Sequence, residues 1–410
     1  MSRIEIQKRN IVIMWIANFC IAGSLTMILP FLSLYIETFG NDSSEYVQRW
    51  SGLVFGISFV TAFLFSPFWG RIGDQYGRKK VLTILGFGIS ACVLLMGIVT
   101  SVPMLFILRF FMGIFAGFIS MSQALIAAQT PKEISGKILG TLQTGNVSGG
   151  LFGPLIGGAL ADMVGFSYTF IITAIITSIA ATLVAVGIKE IRVSKNKDEK
   201  SYTSKQVLHY IFTTPMLFII MIVSTIIQIA NFAIQPLLAL YVNELNATTN
   251  IALLSGIAFS ATGLGNLIFT RQWGKIGDKI GYEKVMLLLL ILSAVVYLPQ
   301  AFVTEVWQLV ILRFLLGLVI GGIIPCRTAY IRNVAPLSIQ GEVLGYNASF
   351  RFLGNVIGPV MGGFLASVTG ISSVFYVTSA LFIISSLILW VVYHKTTNKV
   401  ENYNKQTINY

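Results

Sequence analysis

Long apolar runs decide what this chain can fold into. Most of them extend over about 20 residues, the length that a helix needs to cross the hydrocarbon core of a bilayer. They do not alternate polar and apolar residues as the strands of a membrane barrel would. Of the 410 residues, 55% are hydrophobic and 11% are charged, whereas soluble domains have about 25% charged residues. The sequence therefore predicts an all-α polytopic membrane protein with twelve transmembrane helices, at 11–36, 51–69, 81–100, 103–128, 138–160, 166–188, 215–242, 251–271, 285–304, 307–330, 343–367 and 372–393.

The positive charges of the loops predict the orientation. With the N-terminus in the cytoplasm, the inner segments hold 23 of the 28 Lys and Arg residues, and the outer loops hold Arg49 alone. Because cations accumulate in cytoplasmic loops, we expect a multi-pass protein of the cell membrane with both termini in the cytoplasm. The same rule accounts for the net charge of +12, so we expect the lipid bilayer as a partner and no nucleic acid.

A charged turn occurs twice, at Gly70–Lys80 and again 204 positions later at Gly274–Lys284. The segments around Pro30, Arg109 and Gly153 also recur, at offsets of 204 to 206. Six spans per repeat is an even number, so both copies point the same way, as in transporters that bind substrate between parallel repeats near the middle of the membrane. The prediction is two six-helix, pseudo-symmetric halves, 1–188 and 211–410, joined by a charged cytoplasmic linker, 189–210.

Three motifs of the first half carry a family resemblance. Gly70–Lys80, the stretch Leu105–Gly113 with Arg109, and Gly149–Gly158 resemble, in this order, motifs A, B and C of the major facilitator superfamily. The chain resembles this superfamily over nearly its whole length. Within it, the chain is similar to the twelve-helix drug:proton antiporters and, among these, to the MdtG/PmrA-like multidrug efflux group. The drug-exporter motif of the first span is partial, because Ser33 stands where a second proline often occurs.

The resemblance implies a function. It implies a secondary active transporter that exports drug-like amphiphilic small molecules across the cell membrane in exchange for protons, by alternating access. The partners would be the small-molecule substrate and protons. The proton gradient would supply the energy without a cofactor, and the protein would work as a monomer. The motifs leave open an exporter of a sugar, a metabolite or a lipid instead.

Other classes of function lack support in the sequence. A membrane enzyme or sensor would need clustered His, Asp or Cys residues or an added soluble domain, and neither is present. The phosphate-binding loop of an ATPase is also missing. The cysteines lie in different apolar runs and form no metal-binding spacing. We therefore expect neither enzymatic activity nor a metal site.

The first charged turn combines residues that allow close packing with residues that can pair. Gly73 and Gly77 permit tight backbone conformations. Asp74 and Arg78 lie four residues apart and can pair if the turn is helical. The resemblance implies a gating role, in which Asp74 holds the two halves together on the cytoplasmic side. For Arg78, simple anchoring of the topology is an equal alternative.

Arginines inside apolar spans are candidates for coupling and binding, since each costs about 2.5–3.5 kcal/mol to insert. Arg109 could clamp a carboxylate and shift its pKa, and the resemblance likewise implies proton coupling. Its alternative is a side chain that reaches the outer interface. Arg313 is its repeat partner and ranks lower. Arg351 lies near half-depth where the repeat has Asn146, which favours anionic or zwitterionic substrates over strongly cationic ones.

Carboxylates are scarce inside the spans, although an antiporter needs one that both sides can reach in turn. Glu37 ends the first span, seven residues past Pro30, and is the first candidate for the proton carrier. Asp162 ends the fifth span just past its glycine-rich run. For both residues, an interfacial cap without a role in transport is the alternative.

The fifth span presents small residues on one face. Gly149, Gly153 and Gly157 recur every four residues and let another helix approach closely. Pro154 permits a kink, and Gly158 completes the motif. The resemblance implies a seal against leaks in an antiporter, and ordinary tight packing is the alternative.

Polar amides within the spans suggest the lining of a substrate cavity. Such residues either join helices or touch substrate. The selected cavity residues, together with Arg351, are Asn146, Gln123, Asn231 and Gln235, and further candidates are Asn18, Gln143, Gln228 and Asn347.

Overall fold

A computed structural model describes residues 3–40, 43–190, 204–245, 249–336 and 339–408. Within these ranges the chain is helical and contains no strand. Twelve segments of the described residues are long and apolar enough to cross a membrane, which confirms the predicted all-α fold class. In the first part of the sequence the helices are α1 (Arg3–Met27), α2 (Leu32–Glu37), α3 (Ser44–Tyr76), α4 (Arg78–Met96), α5 (Val102–Ile114), α6 (Phe118–Gln129), α7 (Lys132–Val164) and α8 (Phe166–Gly187).

Local signals mark where several helices start. The Ser43 hydroxyl accepts a hydrogen bond from the N–H of Tyr46 and caps α3. A proline stands in the first turn of α5 and of α10, where no backbone donor is needed. From residue 204 onward the helices are α9 (Ser204–Thr213), α10 (Pro215–Ala233), α11 (Leu238–Glu244), α12 (Ile251–Ile280), α13 (Tyr282–Tyr297), α14 (Val306–Ile320), α15 (Ile323–Val334), α16 (Gln340–Thr369) and α17 (Ile371–Ile408).

Glycine backbones produce the turns, and they do so at repeated positions. Gly77 and Gly281 have φ angles of 104° and 98° and separate α3 from α4 and α12 from α13. Gly165 and Gly370, with φ angles of 88° and 85°, separate α7 from α8 and α16 from α17. These angles suit a residue without a Cβ atom. The repeat seen in the sequence therefore extends to the backbone of the turns.

The structure interrupts several of the predicted spans, among them the seventh, where α10 ends at Ala233 and α11 begins at Leu238. The fourth is split into α5 and α6 around Gly117, and the tenth into α14 and α15 at Gly321 and Gly322. The first span also ends earlier than predicted, at Met27, and α2 follows after a short turn. Periodicity gave no indication of these breaks because the residues around them remain apolar.

The described chain forms two compact units. Unit 1 comprises Met1–Asn196, Gln235–Ser260 and Pro359–Val368, and unit 2 comprises Lys197–Ile234, Ala261–Gly358 and Thr369–Tyr410. In unit 1, α1 packs on α7, α4 on α8 and α3 on α5; in unit 2, α10 and α13 pack on α17. The division into halves at the linker stays a prediction, and residues 191–203 of that linker lie outside the described ranges.

Apolar side chains occupy both the interior and the exterior of the units. Phe170 in unit 1 and Tyr297 in unit 2 are fully buried. Met163 and Val186, by contrast, are each 80% exposed. Such exposure of apolar side chains is costly in water but suits contact with lipid.

Candidate functional site

The first charged turn forms the pair that the residue spacing predicts. Because α3 continues to Tyr76, Asp74 and Arg78 lie on one face of the turn, and Asp74 Oδ1 is 2.9 Å from Arg78 Nη2. The Asp74 side chain is 42% exposed and that of Arg78 is 19% exposed. Solvent screening keeps an ion pair between such partly exposed side chains weak. The pair is therefore suited to a contact that breaks and forms again.

Two further contacts hold this turn in place within unit 1. Arg78 Nη1 donates to the carbonyl oxygen of Ala124 in α6. The Glu190 carboxylate, just beyond α8, accepts hydrogen bonds from the backbone N–H groups of Arg78 at 2.8 Å and Lys79 at 3.2 Å. Glu190 thereby caps the start of α4. No sequence pattern indicates this cap, since 112 positions separate Glu190 from Arg78.

The tryptophan before each charged turn joins two spans. Trp69 Nε1 donates to the carbonyl oxygen of Ile114 at 2.7 Å. In unit 2, Trp273 Nε1 donates to the carbonyl oxygen of Leu318 at 2.7 Å. These acceptors are the last residue of α5 and a residue in the last turn of α14. The two turns are thus positioned on their own units in the same way.

Arg109 is a buried cation. It lies in α5 and is 3% exposed. Its guanidinium lies 5.9 Å from the centre of the Phe55 ring, and Nη1 lies 3.7 Å from the sulfur of Met112. Nε has no hydrogen-bond partner, and no carboxylate of the described residues pairs with Arg109. The carboxylate clamp predicted for Arg109 is therefore absent from the described part of this conformation.

The repeat partner of Arg109 has different surroundings. Arg313 in α14 is also 3% exposed. It lies close enough to the buried Tyr297 hydroxyl for an electrostatic interaction. The two arginines therefore occupy equivalent places in the repeats but face different neighbours.

Glu37, the predicted proton carrier, is the last residue of the short helix α2. Its side chain is exposed, but the protein around it still desolvates the carboxyl enough to raise its pKa above the ordinary value. Desolvation of this kind shifts a carboxyl group towards its protonated form. The structure leaves its role in transport a prediction.

The glycine face of α7 packs directly on α1 in unit 1. Cβ atoms at Gly149, Gly153 and Gly157 would overlap backbone or side-chain atoms of α1, the nearest being Phe19 O, Thr26 Oγ1 and Met27 O.

The two remaining residues of the motif have other surroundings. Pro154 lies inside α7 without ending it. Gly158 faces away from α1 and lies against the carbonyl oxygen of Ala252. The motif therefore allows α7 to touch α1 on one side and the start of α12 on another.

The predicted amides fall into both units. In unit 1, Gln123 Nε2 donates to Gln143 Oε1 at 3.0 Å, and Asn146 is half-buried in α7. Gln235, also in unit 1, starts a short 3₁₀ helix and is half-buried. Asn231 belongs to unit 2, where it is half-buried in α10.

Two arginines of unit 2 form a polar cluster, called here the Arg327–Arg351 cluster. Arg327 is 3% exposed and its Nη1 donates to Ser224 Oγ at 3.1 Å, as does Asn347 Nδ2 at the same distance. Arg351 lies close enough for the two positive charges to repel one another. The Nε atoms of both arginines are buried without a hydrogen-bond partner.

The Arg327–Arg351 cluster has no carboxylate partner among the described residues. Buried cations without an anion are costly. The sequence singled out Arg351 and Asn347, but Ser224 was missed because one serine in an apolar helix carries no pattern. The described residues also contain no group of three or more His, Cys, Asp or Glu side chains that could hold a metal ion.

Comparison with known proteins defines the class. The family model described as Major Facilitator Superfamily matches residues 14–271 and 230–408. The chain belongs to the major facilitator superfamily, and it is a multi-pass membrane transporter of small molecules. The fold agrees: the chain superimposes on an inward-facing, occupied structure of a bacterial homolog of the human lysosomal transporter Spinster. The TM-score is 0.78 with 12% identity over 96% of this chain and 97% of the other.

The relatives within the family match this chain over nearly the full length of both proteins. An uncharacterized MFS-type transporter, YuxJ of Bacillus subtilis (strain 168), is 54% identical over 380 residues, covering 92% of this chain and 97% of the relative. The multidrug resistance protein MdtG of Salmonella schwarzengrund (strain CVM19633) is 39% identical over 385 residues, covering 93% and 95%. This likeness confirms the predicted resemblance to the MdtG-like group.

Proposed function

We propose that this transporter exports drug-like amphiphilic small molecules across the cell membrane in exchange for protons, by alternating access. The observation that carries the proposal is the full-length likeness, at 37–39% identity, to relatives named multidrug resistance protein MdtG. The protein would work as a monomer with both termini in the cytoplasm. The proton gradient would drive it without a cofactor.

The glycine face of α7 supports antiport. An exchanger must not let protons pass without cargo, so its helices must pack without gaps along the pathway. Side chains at Gly149, Gly153 and Gly157 would leave no room for the contact between α7 and α1. This close contact is what a seal requires.

In this scheme the buried and exposed charges have separate tasks. Asp74 and Arg78 form the gate on the side of the membrane where the charged turns lie, because their solvent-exposed ion pair can break. Glu37 carries the proton, which its raised pKa supports. Arg109 senses the charge of the coupling carboxylate from its buried position in α5.

The Arg327–Arg351 cluster supports a preference in the charge of the cargo. An anionic or zwitterionic group would supply the negative charge that the two arginines lack. We expect Arg351→Ala to reduce transport of anionic substrates more than that of cationic dyes. Unchanged anion transport, or an equal loss for both classes, would remove this preference from the proposal.

The experiment is a resistance and dye-efflux panel in cells that lack their own efflux pumps, with and without a protonophore. The proposal predicts resistance to several unrelated amphiphiles and efflux that stops when the protonophore is added. Absence of resistance to every compound, or efflux that ignores the protonophore, would overturn it.

A matched variant tests the proton carrier. Glu37→Gln keeps the size and polarity of the side chain but cannot bind and release the proton. We expect it to abolish proton-coupled efflux while expression and thermal stability stay unchanged. Undiminished coupled efflux would exclude Glu37.

An exporter of a sugar, a metabolite or a lipid is the alternative. The relative with 54% identity is named only as an uncharacterized transporter, and it supports no particular cargo. Radiolabelled members of these three classes belong in the same panel. Their transport without any drug efflux would favour the alternative.

A further inference from the structure

The end of unit 1 opposite to Gly70–Lys80, called here the far end, contains a tight contact between α7 and the first turns of α12. A Cβ atom at Gly158 would overlap the carbonyl oxygen of Ala252, and one at Gly256 would overlap that of Pro154. This α7–α12 crossing joins the first sequence repeat to the second. All its residues belong to unit 1.

The carboxylate of Asp162 lies at the end of this crossing. Its Oδ2 accepts a hydrogen bond from the N–H of Leu253 at 2.7 Å, and its Oδ1 accepts one from the N–H of Ala252 at 3.3 Å. These N–H groups lie in the first turn of α12, where a helix offers them no carbonyl of its own. The carboxylate also faces the positive end of the helix dipole. Asp162 of α7 thus caps a helix from the other repeat.

A second crossing at the far end of unit 1 corresponds to the first. Here α3 meets the last turns of α16, and a Cβ atom at Gly52 would overlap the carbonyl oxygen of Pro359, while one at Gly363 would lie too close to that of Gln48. Each of these four residues corresponds to one of the α7–α12 crossing at an offset of 204 or 205 positions. The packing is therefore duplicated by the repeat.

The two crossings differ at the residue that corresponds to Asp162, which is Ser367. Its hydroxyl accepts a hydrogen bond from the side chain of Arg49, with 2.9 Å between Nε and Oγ. No backbone cap is possible there, because α3 begins at Ser44 and the N–H of Arg49 already lies inside the helix. The later start of α12 in the repeat makes its N–H groups available. Only the α7–α12 crossing is therefore closed by a carboxylate.

We propose that Asp162 is a positioning residue of the transport cycle: its carboxylate holds the first turn of α12 against α7 and releases it whenever the far end opens. The proposal rests on the alternating-access function proposed above, which makes such opening a necessary step. Without the carboxylate, the resting protein shifts towards a far end that is open. The shift leaves the charged turns and the Arg327–Arg351 cluster untouched.

A reporter inside the crossing measures this equilibrium. The Ser260 hydroxyl donates to the carbonyl oxygen of Leu151 at 2.7 Å, and Ser260 is 5% exposed. Ser260→Cys therefore places a thiol that a membrane-impermeant maleimide reaches only after α7 and α12 separate. The reporter requires a chain whose own cysteines are replaced by alanine, namely Cys20, Cys92 and Cys326.

We expect Asp162→Ala to raise the labelling rate of the reporter roughly tenfold or more, since loss of even one of its two hydrogen bonds to the charged carboxylate changes an equilibrium by about this factor. Asp162→Asn keeps one acceptor oxygen and should give a smaller increase. Whole cells and inside-out vesicles are labelled in parallel, so that the experiment itself shows on which side of the membrane the far end lies. Equal labelling rates in the parent and both variants would overturn the proposal.

The matched control removes a cap at the same end that joins no second helix. Ser43→Ala deletes the hydroxyl that caps α3 within its own chain segment. It should lower thermal stability slightly and leave the labelling rate unchanged. A rate increase as large as that of Asp162→Ala would reduce Asp162 to a general contribution to stability and would overturn the proposal. If Asp162→Ala does not fold, Asp162→Asn decides alone.

Transport in proteoliposomes supplies the second readout. When fewer molecules have a closed far end, cargo on the opposite side meets fewer binding-competent transporters, so the apparent KM rises by the inverse of the remaining fraction. We expect Asp162→Ala to raise KM with little change in maximal rate. Labelling needs neither cargo nor protons, so a failed drug panel with a positive labelling result would reject the cargo and keep the role of Asp162.

Discussion

The two charged turns share a backbone and differ in their charges. In both, a glycine with positive φ ends one helix and starts the next, Gly77 in the first copy and Gly281 in the second. In both, a tryptophan side chain joins the preceding helix to a carbonyl oxygen of the neighbouring span. The repeated glycines and tryptophans therefore determine the backbone conformation of both turns, independently of the charged residues.

The residue after the glycine makes the difference. Arg78 pairs with Asp74 and reaches a carbonyl oxygen of α6. Tyr282, at the corresponding position, donates its hydroxyl to Asp278. The first turn can therefore gain or lose an ionic contact, whereas the second keeps a neutral donor beside its aspartate. This comparison teaches that duplication preserved the scaffold and that single side chains made one copy suitable as a gate.

The largest effect is expected where substitutions disrupt a close helix contact that both repeats share. Gly113 and Gly317 occupy equivalent positions where a Cβ atom would overlap backbone carbonyl oxygens of α3 and α12, respectively. We expect Gly113→Ala and Gly317→Ala each to destabilise the protein by about 1–3 kcal/mol through overpacking. The melting temperature in detergent is the measurement. Gly70→Ala and Gly274→Ala, with nothing near the added carbon, are the matched controls, and equal losses in all four variants would contradict the prediction.

The next largest effect distinguishes the two buried arginines, Arg109 and Arg313. Arg109→Met removes a buried cation that lacks a carboxylate partner among the described residues. We therefore expect thermal stability to be kept or raised while transport falls on the order of a hundredfold, the upper end of ordinary coupling free energies. Arg313→Met should lower stability, since Tyr297 loses its charged neighbour, and should reduce transport less. Efflux rates and melting curves of both variants test this, and equal transport losses would refute the asymmetry.

A smaller effect concerns the gate. Asp74→Asn removes the charge that attracts Arg78, whereas Asn at position 278 could still accept the Tyr282 hydroxyl. We expect Asp74→Asn to lower transport by about tenfold and Asp278→Asn by about twofold or less. Efflux of one dye at matched expression levels is the measurement. The opposite ranking would mean that the second turn is the gate.

The smallest effect concerns the tryptophans. Trp69→Phe and Trp273→Phe keep an aromatic ring but remove one hydrogen bond each, so we expect a loss of about 1 kcal/mol in both. Their melting temperatures should fall by similar amounts. Trp307→Phe, at a residue that is 61% exposed, serves as the control and should change nothing. A loss confined to one repeat would show that the two turns are not held alike.

Much of the fold could be predicted because it depends on local and repeated patterns. Apolar length gave the twelve spans, and the spacing of four residues gave the Asp74–Arg78 pair. Breaks such as the one around Gly117 could not be predicted, since the residues on either side remain equally apolar. Contacts between distant segments, such as Glu190 with the start of α4, leave no periodic signal.

By itself, the sequence determined that the chain is a membrane-spanning helical protein built from two copies of one unit, because composition and repetition are properties of the chain alone. Only the tertiary structure decided which unmatched charges meet. It brought Arg327 beside Arg351 and placed the Asp162 carboxylate on the first turn of α12. The physical reason is that a buried charge or a free backbone N–H takes its partner from whichever helix packs against it. That neighbour is set by packing in three dimensions and not by distance along the chain.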